Sequence, residues 1–208
     1  MSHVGSLCDA RAPLPFVMCL DRLVEGAAVP PGAIHLRQIG YSDPECLGPA
    51  APAFQALQAQ GCLHVATHIV PQRETRREML TADWLLLLDM NKTNPGLQVP
   101  AKTFGRIRAC RPIPALTTTG SSTECVLALS GIPDACVDFA AASERFDAEV
   151  LAFLRRLFSD VTPSAQLWAD FDASRHTAAL HALTDRVPCK PVPSPGIELQ
   201  NVANGKPA

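Results

Sequence analysis

The chain has 208 residues, enough for one large domain with a buried core and too few for two ordinary domains with linkers. Its formal net charge of -2 and pI near 6.3, with Lys and Arg scattered along the chain, give no electrostatic reason to expect nucleic acid or an anionic membrane as partner. No apolar run approaches 18 residues and the opening MSHVGS lacks a basic region followed by an apolar stretch, so a cytoplasmic protein without a transmembrane segment is expected.

Short apolar runs alternate with longer amphipathic stretches, the pattern of βαβ units. Taken in chain order, strands are predicted at Ser2 to Gly5, Ala33 to Gly40, Cys62 to Thr67, Trp84 to Met90, Ile113 to Thr118 and Ala135 to Phe139. Helices are predicted at Leu14 to Glu25, Ala51 to Gln60, Arg73 to Thr81, Lys102 to Cys110, Thr123 to Ser130, Glu144 to Phe158 and Ser174 to Val187. The run from Trp84 to Asp89 (WLLLLD) is apolar on both faces, as a central parallel strand covered by helices on each side requires. In the helix near the C-terminus, Phe146, Val150, Phe153, Leu154 and Leu157 share one stripe and are predicted core, with Arg155 and Arg156 outside it. The fold class expected is α/β, a doubly wound parallel, Rossmann-like sheet, because right-handed crossovers allow little else.

Most of the 19 prolines sit at joints between apolar segments. The exception is the tail from Pro188, too poor in apolar residues to offset the entropy of ordering. The predicted organisation is therefore one domain over residues 1–187 and a disordered Pro-rich tail over 188–208. Of the eight cysteines, Cys19, Cys62, Cys110 and Cys136 stand singly within apolar runs without CxxC pairs, which points to buried reduced thiols.

In an open parallel sheet, ligands bind at the carboxyl ends of strands, where helix N-termini present unpaired N–H groups. Three loops there carry chemistry. After the first strand, Gly5 permits close backbone approach to an anion and Arg11 offers a fork for phosphate; an ordinary βα turn with a solvated Arg is the competing reading. After the fourth strand, residues 91 to 102 form a long connection in which Pro100 precedes a helix opening at Lys102, or else a plain structural loop. After the fifth, Thr117 to Thr123 clusters hydroxyls and Gly120 before a helix, an anion nest or simply an N-cap. Neither GxGxxG nor GxxxxGK[ST] occurs, so dinucleotide and P-loop sites lack support. His64 and His68 lie too far apart on a strand to share a metal, and no nucleophile triad can be assembled. No metal and no cofactor are expected.

The order of segments carries a resemblance. TADWLLLLD (81–89), VPAKTF (99–104), CRPIPALT (110–117) and GSSTE (120–124), preceded by Gly5-Ser6-Leu7 with Arg11 and by Leu36 to Gly40, resemble the C-terminal, donor-binding domain of family 4 retaining glycosyltransferases of the GT-B fold. The resemblance covers roughly residues 1 to 187. It implies a domain that holds a nucleotide-diphosphate sugar as donor substrate, with Gly5, Ser6, Arg11, Lys102 and Thr103 at the diphosphate and Gly120, Ser121 and Ser122 supplying donors. It also implies sugar transfer to an acceptor bound by an N-terminal domain or subunit, since the chain opens almost directly on the first strand of the donor half. Two positions depart from the pattern: Gly105 stands where the family carries a ribose-holding acid, and Leu97 stands where it carries an earlier one. Catalytic residues are thus not assigned, and a non-catalytic nucleotide or nucleotide-sugar module is the alternative.

Overall fold

Alternating strand and helix segments of this length can bury their apolar faces only by winding helices over both sides of a sheet. The computed structural model, describing residues 1–7, 14–30, 32–41, 44–66, 70–89, 98–156 and 162–184, has that architecture. Its elements are β1 (Ser2–Val4), α1 (Leu14–Glu25), β2 (Leu36–Ile39), a 3-10 segment (Pro44–Ala50), α2 (Ala51–Ala59), β3 (Leu63–Val65), α3 (Gln72–Thr81), β4 (Leu87–Leu88), α4 (Lys102–Arg108), β5 (Ile113–Thr117), α5 (Ser122–Ser130), β6 (Asp134–Asp138), α6 (Ser143–Leu154), α7 (Ala165–Asp170) and α8 (Ala173–Thr184). Each predicted strand and helix is present. Strands are shorter than their apolar runs, because ladder pairing ends before hydrophobicity does. The 3-10 segment and α7 are too short to show a period in the sequence.

Among the described residues every strand pair is parallel: β1 with β2, β2 with β3, β4 with β5, and β5 with β6. A single parallel bridge, Ser2 to Leu85, joins the two groups, with Ser2 N donating to Trp84 O at 2.9 Å and Leu86 N to Ser2 O at 3.0 Å. The spatial order is therefore β3-β2-β1-β4-β5-β6. The chain reverses its direction of travel across the sheet between β1 and β4, and the crevice outside their carboxyl ends is the topological switch point of such a sheet.

Leu85, Leu86, Leu87, Leu88 and Asp89 are all buried, as a strand covered on both faces must be. Alternation sends Leu86 and Leu88 into one core with Phe16, Val17 and Leu20 of α1 and Phe146 and Val150 of α6. Leu87 enters a second core with Ile107 of α4, Ile113 of β5, Leu127 of α5 and Leu167 of α7. Full burial of one such leucine is worth ~1.5–3 kcal/mol. Phe153 completes the α6 stripe, edge-on to Trp84 at 5.9 Å between centroids. The helix is shorter than expected, however: it ends at Leu154, which is only partly buried, while Leu157 lies outside the described residues.

The expected burial of the cysteines also needs correction. Cys19 and Cys62 are buried thiols, but Cys136 is half-buried and Cys110 is exposed in the turn following α4; none of the four is in a disulfide. The chain divides into two compact units, Met1–Asp170, which carries the whole sheet, and Phe171–Ala208. In the second, the described part is α8, preceded by Asp172, whose carboxylate accepts from Ser174 N at 2.7 Å. The tail from Pro188 lies outside the described residues, and among those described no helix is long and apolar enough to cross a membrane.

Candidate functional site

The carboxyl ends of β1 and β2 come together through two glycines. Gly5 (φ +154°) ends β1, and its N–H donates to Ile39 O at 2.8 Å. Gly40 (φ +130°) follows β2 so closely that a Cβ there would fall 2.6 Å from Gly5 O. Neither the dihedrals nor the spacing admits a side chain. Below them, Gln38 Nε2 donates to Gly5 O at 2.8 Å, leaving its Oε1 to accept from His3 Nδ1 at 2.6 Å. The amide of Gln38 thus sets the ring's proton on Nδ1. Both side chains are buried, so this network holds the end of β1 rigidly.

Lys102, the first residue of α4, reaches the same place. A Cβ built on Gly5 would fall 2.5 Å from Lys102 Nζ, so the bare α-carbon is what lets the ammonium approach β1. Arg106, one turn further along α4, is buried, and its Nη2 donates to Val4 O at 3.0 Å. That bond ties α4 to the last residue of β1 and fixes where Lys102 stands. Gly105 lies between them in α4, and apart from its chain neighbours and its own helix backbone no atom of the described residues comes within 4 Å of where its Cβ would be.

On the β4–β5 side the polar groups are internally engaged. Asp89, buried beyond the end of β4, accepts from Thr117 Oγ1 at 2.9 Å, and Thr117 Oγ1 is 2.8 Å from Ser121 Oγ. Ser121 caps α5, its Oγ accepting from Glu124 N at 3.2 Å. The Glu124 carboxylate reaches back past the cap and accepts from Gly120 N at 2.5 Å. This is a capping box displaced by one residue. At the end of β6, Asp138 accepts from Ala140 N at 2.8 Å and Thr119 N at 2.9 Å; those two amide bonds, Ala140's foremost, hold its carboxyl below the usual range.

The expected site residues separate accordingly. Gly5 and exposed Lys102 come together at the end of β1, and half-buried Ser6 follows Gly5 in the chain. Arg11 and Leu97 lie outside the described residues. Thr103 is fully buried, its amide is bound to Pro100 O at 2.8 Å and its hydroxyl finds no partner among the described residues. At Gly120 to Ser122 the sequence leaves a nest and a cap open, and the hydrogen bonds are those of a cap. Ser121 is closed off from solvent, its N–H donates to Thr118 O at 3.0 Å, and the Gly120 N–H is held by Glu124, so the capping reading accounts for this loop. Ser122 remains half-exposed. Residues that sequence reasoning passed over are Gln38, Asp89, Arg106 and Glu124. Only Glu124 had a readable signal, the S-x-x-E spacing from Ser121. His64 lines a groove with Arg37, Glu74 and Glu78, His68 is outside the described residues, and among those described no His, Cys, Asp and Glu group could hold a metal.

No family model matches the sequence, and no curated protein matches it. Solved structures do. WaaG, a glycosyltransferase involved in lipopolysaccharide biosynthesis, superposes with a TM-score of 0.57 at 16% identity, covering 88% of this chain and 46% of that one. HepE of Anabaena, solved in complex with UDP, gives a TM-score of 0.59 at 8% identity over 89% of this chain and 48% of that one. The C-terminal domain of the glycosyl transferase group 1 protein LpcC from Francisella tularensis gives 0.52 at 12% identity, over 74% of each chain. The chain spans less than half the length of the first two. At such identities the likeness is one of fold, and the fold is that of a single Rossmann-like half domain of the GT-B glycosyltransferases.

Proposed function

We propose that this chain is the donor-binding half of a glycosyltransferase, holding a nucleotide-diphosphate sugar in the β1/β4 crevice. The observation that carries the reading is the Lys102 ammonium set against the bare α-carbon of Gly5 at the switch point. A cation and a glycine backbone, brought together at the carboxyl end of a parallel sheet, suit a diphosphate. Ser6 follows Gly5 in the chain, and Arg11 is assigned to the crevice from the sequence alone. Gly120 and Ser122 join only if Glu124 releases its amide. HepE, of like fold, has been solved with UDP and with UDP-glucose, which agrees with this choice of ligand.

The chemistry follows from charge. A departing nucleoside diphosphate carries negative charge that grows as the glycosidic bond breaks, and donors already fixed in place stabilise it without reorganising. Lys102 is fixed indirectly, because Arg106 anchors α4 to β1. No metal is invoked. The acceptor, its binding domain and the groups that act on it are supplied by another segment or subunit in this reading, consistent with coverage of under half of WaaG and HepE.

Calorimetric titration with UDP, GDP and their sugars tests the reading. Lys102→Ala is expected to weaken binding of the diphosphates at least about tenfold while leaving nucleosides unaffected, as loss of one charge-assisted contact should. Absence of binding at millimolar concentration, or equal loss for nucleosides, would overturn it. One observation favours a second reading, a non-catalytic nucleotide-sugar module: Gly105, which carries no carboxylate, stands one turn along α4 from Lys102. Stoichiometric binding of UDP-sugars with no release of UDP, whatever acceptor domain is added, would favour that module over the transferase half.

A further inference from the structure

Along α3, Arg73, Arg76, Arg77 and Leu80 recur at i, i+3, i+4 and i+7, so they share one arc of about 100° on the helix. All four are exposed, Leu80 at 55%, whereas half-buried Thr75, Glu78 and Met79 mark the inner side. The helix is fastened from that inner side and by its last turn. Glu78 accepts from Ser2 Oγ and Arg37 Nη1 at 2.6 Å each, Arg111 Nη2 donates to Leu80 O, and Met79 packs on Ala82, Leu85 and Ala109. None of these contacts uses the three arginines. Two other surface arginines are matched, Arg145 by Glu149 one turn on in α6 and Arg22 by Asp147, but among the described residues Arg73, Arg76 and Arg77 make no ion pair. The i+4 neighbour of Arg73 is Arg77, a like charge that disfavours the helix, and Glu74 stands at the edge of the arc, where α3 borders the groove lined by His64. The net charge of -2 thus hides a local excess of cations on one face.

We propose that this face of α3 docks on a lipid surface carrying anionic headgroups, with the guanidinium groups at the phosphates and Leu80 entering the boundary beneath them. Charge complementarity supplies the attraction, and the planar fork of arginine matches phosphate oxygens. A basic helix face with an exposed apolar residue lies in the plane of such an interface. Leu80 selects lipid over an acidic protein segment. Carboxylates would satisfy the arginines alone, but a leucine set among three cations gains where an apolar phase begins just below the charges. The inference is independent of which ligand the β1/β4 crevice takes.

Co-sedimentation of the whole chain with vesicles tests it, phosphatidylcholine alone against an equal mixture of phosphatidylcholine and phosphatidylglycerol. The mixed vesicles should bind the chain and the neutral ones should not, with binding falling about tenfold or more between roughly 0.05 and 0.5 M salt. Each arginine near an anionic surface is worth roughly fivefold, so the triple variant Arg73→Gln, Arg76→Gln, Arg77→Gln should lose about a hundredfold. Replacing the same three by lysine should keep binding within about fivefold of the original, which separates charge from folding. Leu80→Ser should lose about fivefold through its apolar contact alone, with the salt dependence unchanged. Equal binding to both kinds of vesicle, binding to neither, or undiminished binding by the glutamine variant overturns the inference. So does binding of soluble polyglutamate that matches the mixed vesicles and ignores Leu80→Ser, which would assign the face to an acidic protein.

Discussion

The Lys102 ammonium rests against the α-carbon of Gly5, at a point that a Cβ on Gly5 would occupy to within 2.5 Å of Nζ. A cation from the middle of the chain and a backbone turn from its beginning thereby share one crevice. The contact depends on Gly5 having no side chain and on Arg106 holding α4 to Val4 O.

The two glycines at the strand ends should respond differently to alanine. At Gly5 the new methyl meets the far end of a lysine, which can swing away, so the cost is the strained backbone, ~1–3 kcal/mol. At Gly40 it meets the Gly5 carbonyl, which cannot move without breaking the bond from Gln38, and ~2–4 kcal/mol is expected. Urea denaturation should rank Gly40→Ala below Gly5→Ala in stability, with Gly5→Ala showing the larger loss of diphosphate affinity for its destabilisation. The reverse order would show that the approach of Gly5 and Gly40 is not what constrains them.

Glu124 holds the Gly120 amide and places a negative charge at the mouth of α5. Glu124→Ala should lower stability by ~1 kcal/mol through loss of the capping box. It should also raise diphosphate affinity by about threefold or more, as a like charge is withdrawn and an amide freed. Unchanged affinity would show that the ligand does not extend from Lys102 to α5.

Arg22 of α1 grips Asp147 of α6 through two bonds of 2.7 Å, Nε to Oδ2 and Nη2 to Oδ1. The Arg22 bonds, chiefly, hold the Asp147 carboxyl below its ordinary value. A depressed folded-state value means that the stabilisation is present above the unfolded carboxylate range and is lost as pH falls through the folded one. With a partly exposed guanidinium it amounts to ~0.5–1 kcal/mol. Asp147→Asn should therefore lower thermal stability at pH 7 and shrink its difference from the unaltered protein as the pH drops below about 4. A constant difference across that range would place the effect in packing rather than charge.

Burial and the bond to Asp147 push the Cys19 thiol well above its ordinary value, and Cys62 is also enclosed. A thiol reagent near pH 8 should modify exposed Cys110 and Cys125 at least about 100-fold faster than Cys19 or Cys62, read by peptide mass spectrometry. Comparable rates would mean that the α1 side of the core opens readily.

Helix and strand identity were legible because they are written in local periodicity. Leu85 to Leu88 declared a strand buried on both faces before any partner was known, and Phe146, Val150 and Phe153 declared the inner face of α6. The limits of elements were less legible. α6 stops at Leu154 because the apolar spacing runs on after the helical hydrogen bonds end, and α3, with no buried residue, is recognised by charge pattern alone. At the site, nothing local in the sequence shows that Lys102 meets Gly5, and Thr103 was not readable as interior. In a short helix one residue's rotation separates a solvent face from a core face.

The amino-acid sequence by itself determined the βαβ alternation, the central apolar strand and the three strand-end loops, all consequences of composition over a few neighbouring residues. Tertiary structure alone decided that β1 lies beside β4, that Arg106 turns inward to Val4, that Glu124 closes the Gly120 amide, and that Lys102 stands over Gly5. Each of these but the Glu124 cap joins segments far apart in the chain. Such meetings are set by which faces must be buried together, and no local pattern of residues encodes them.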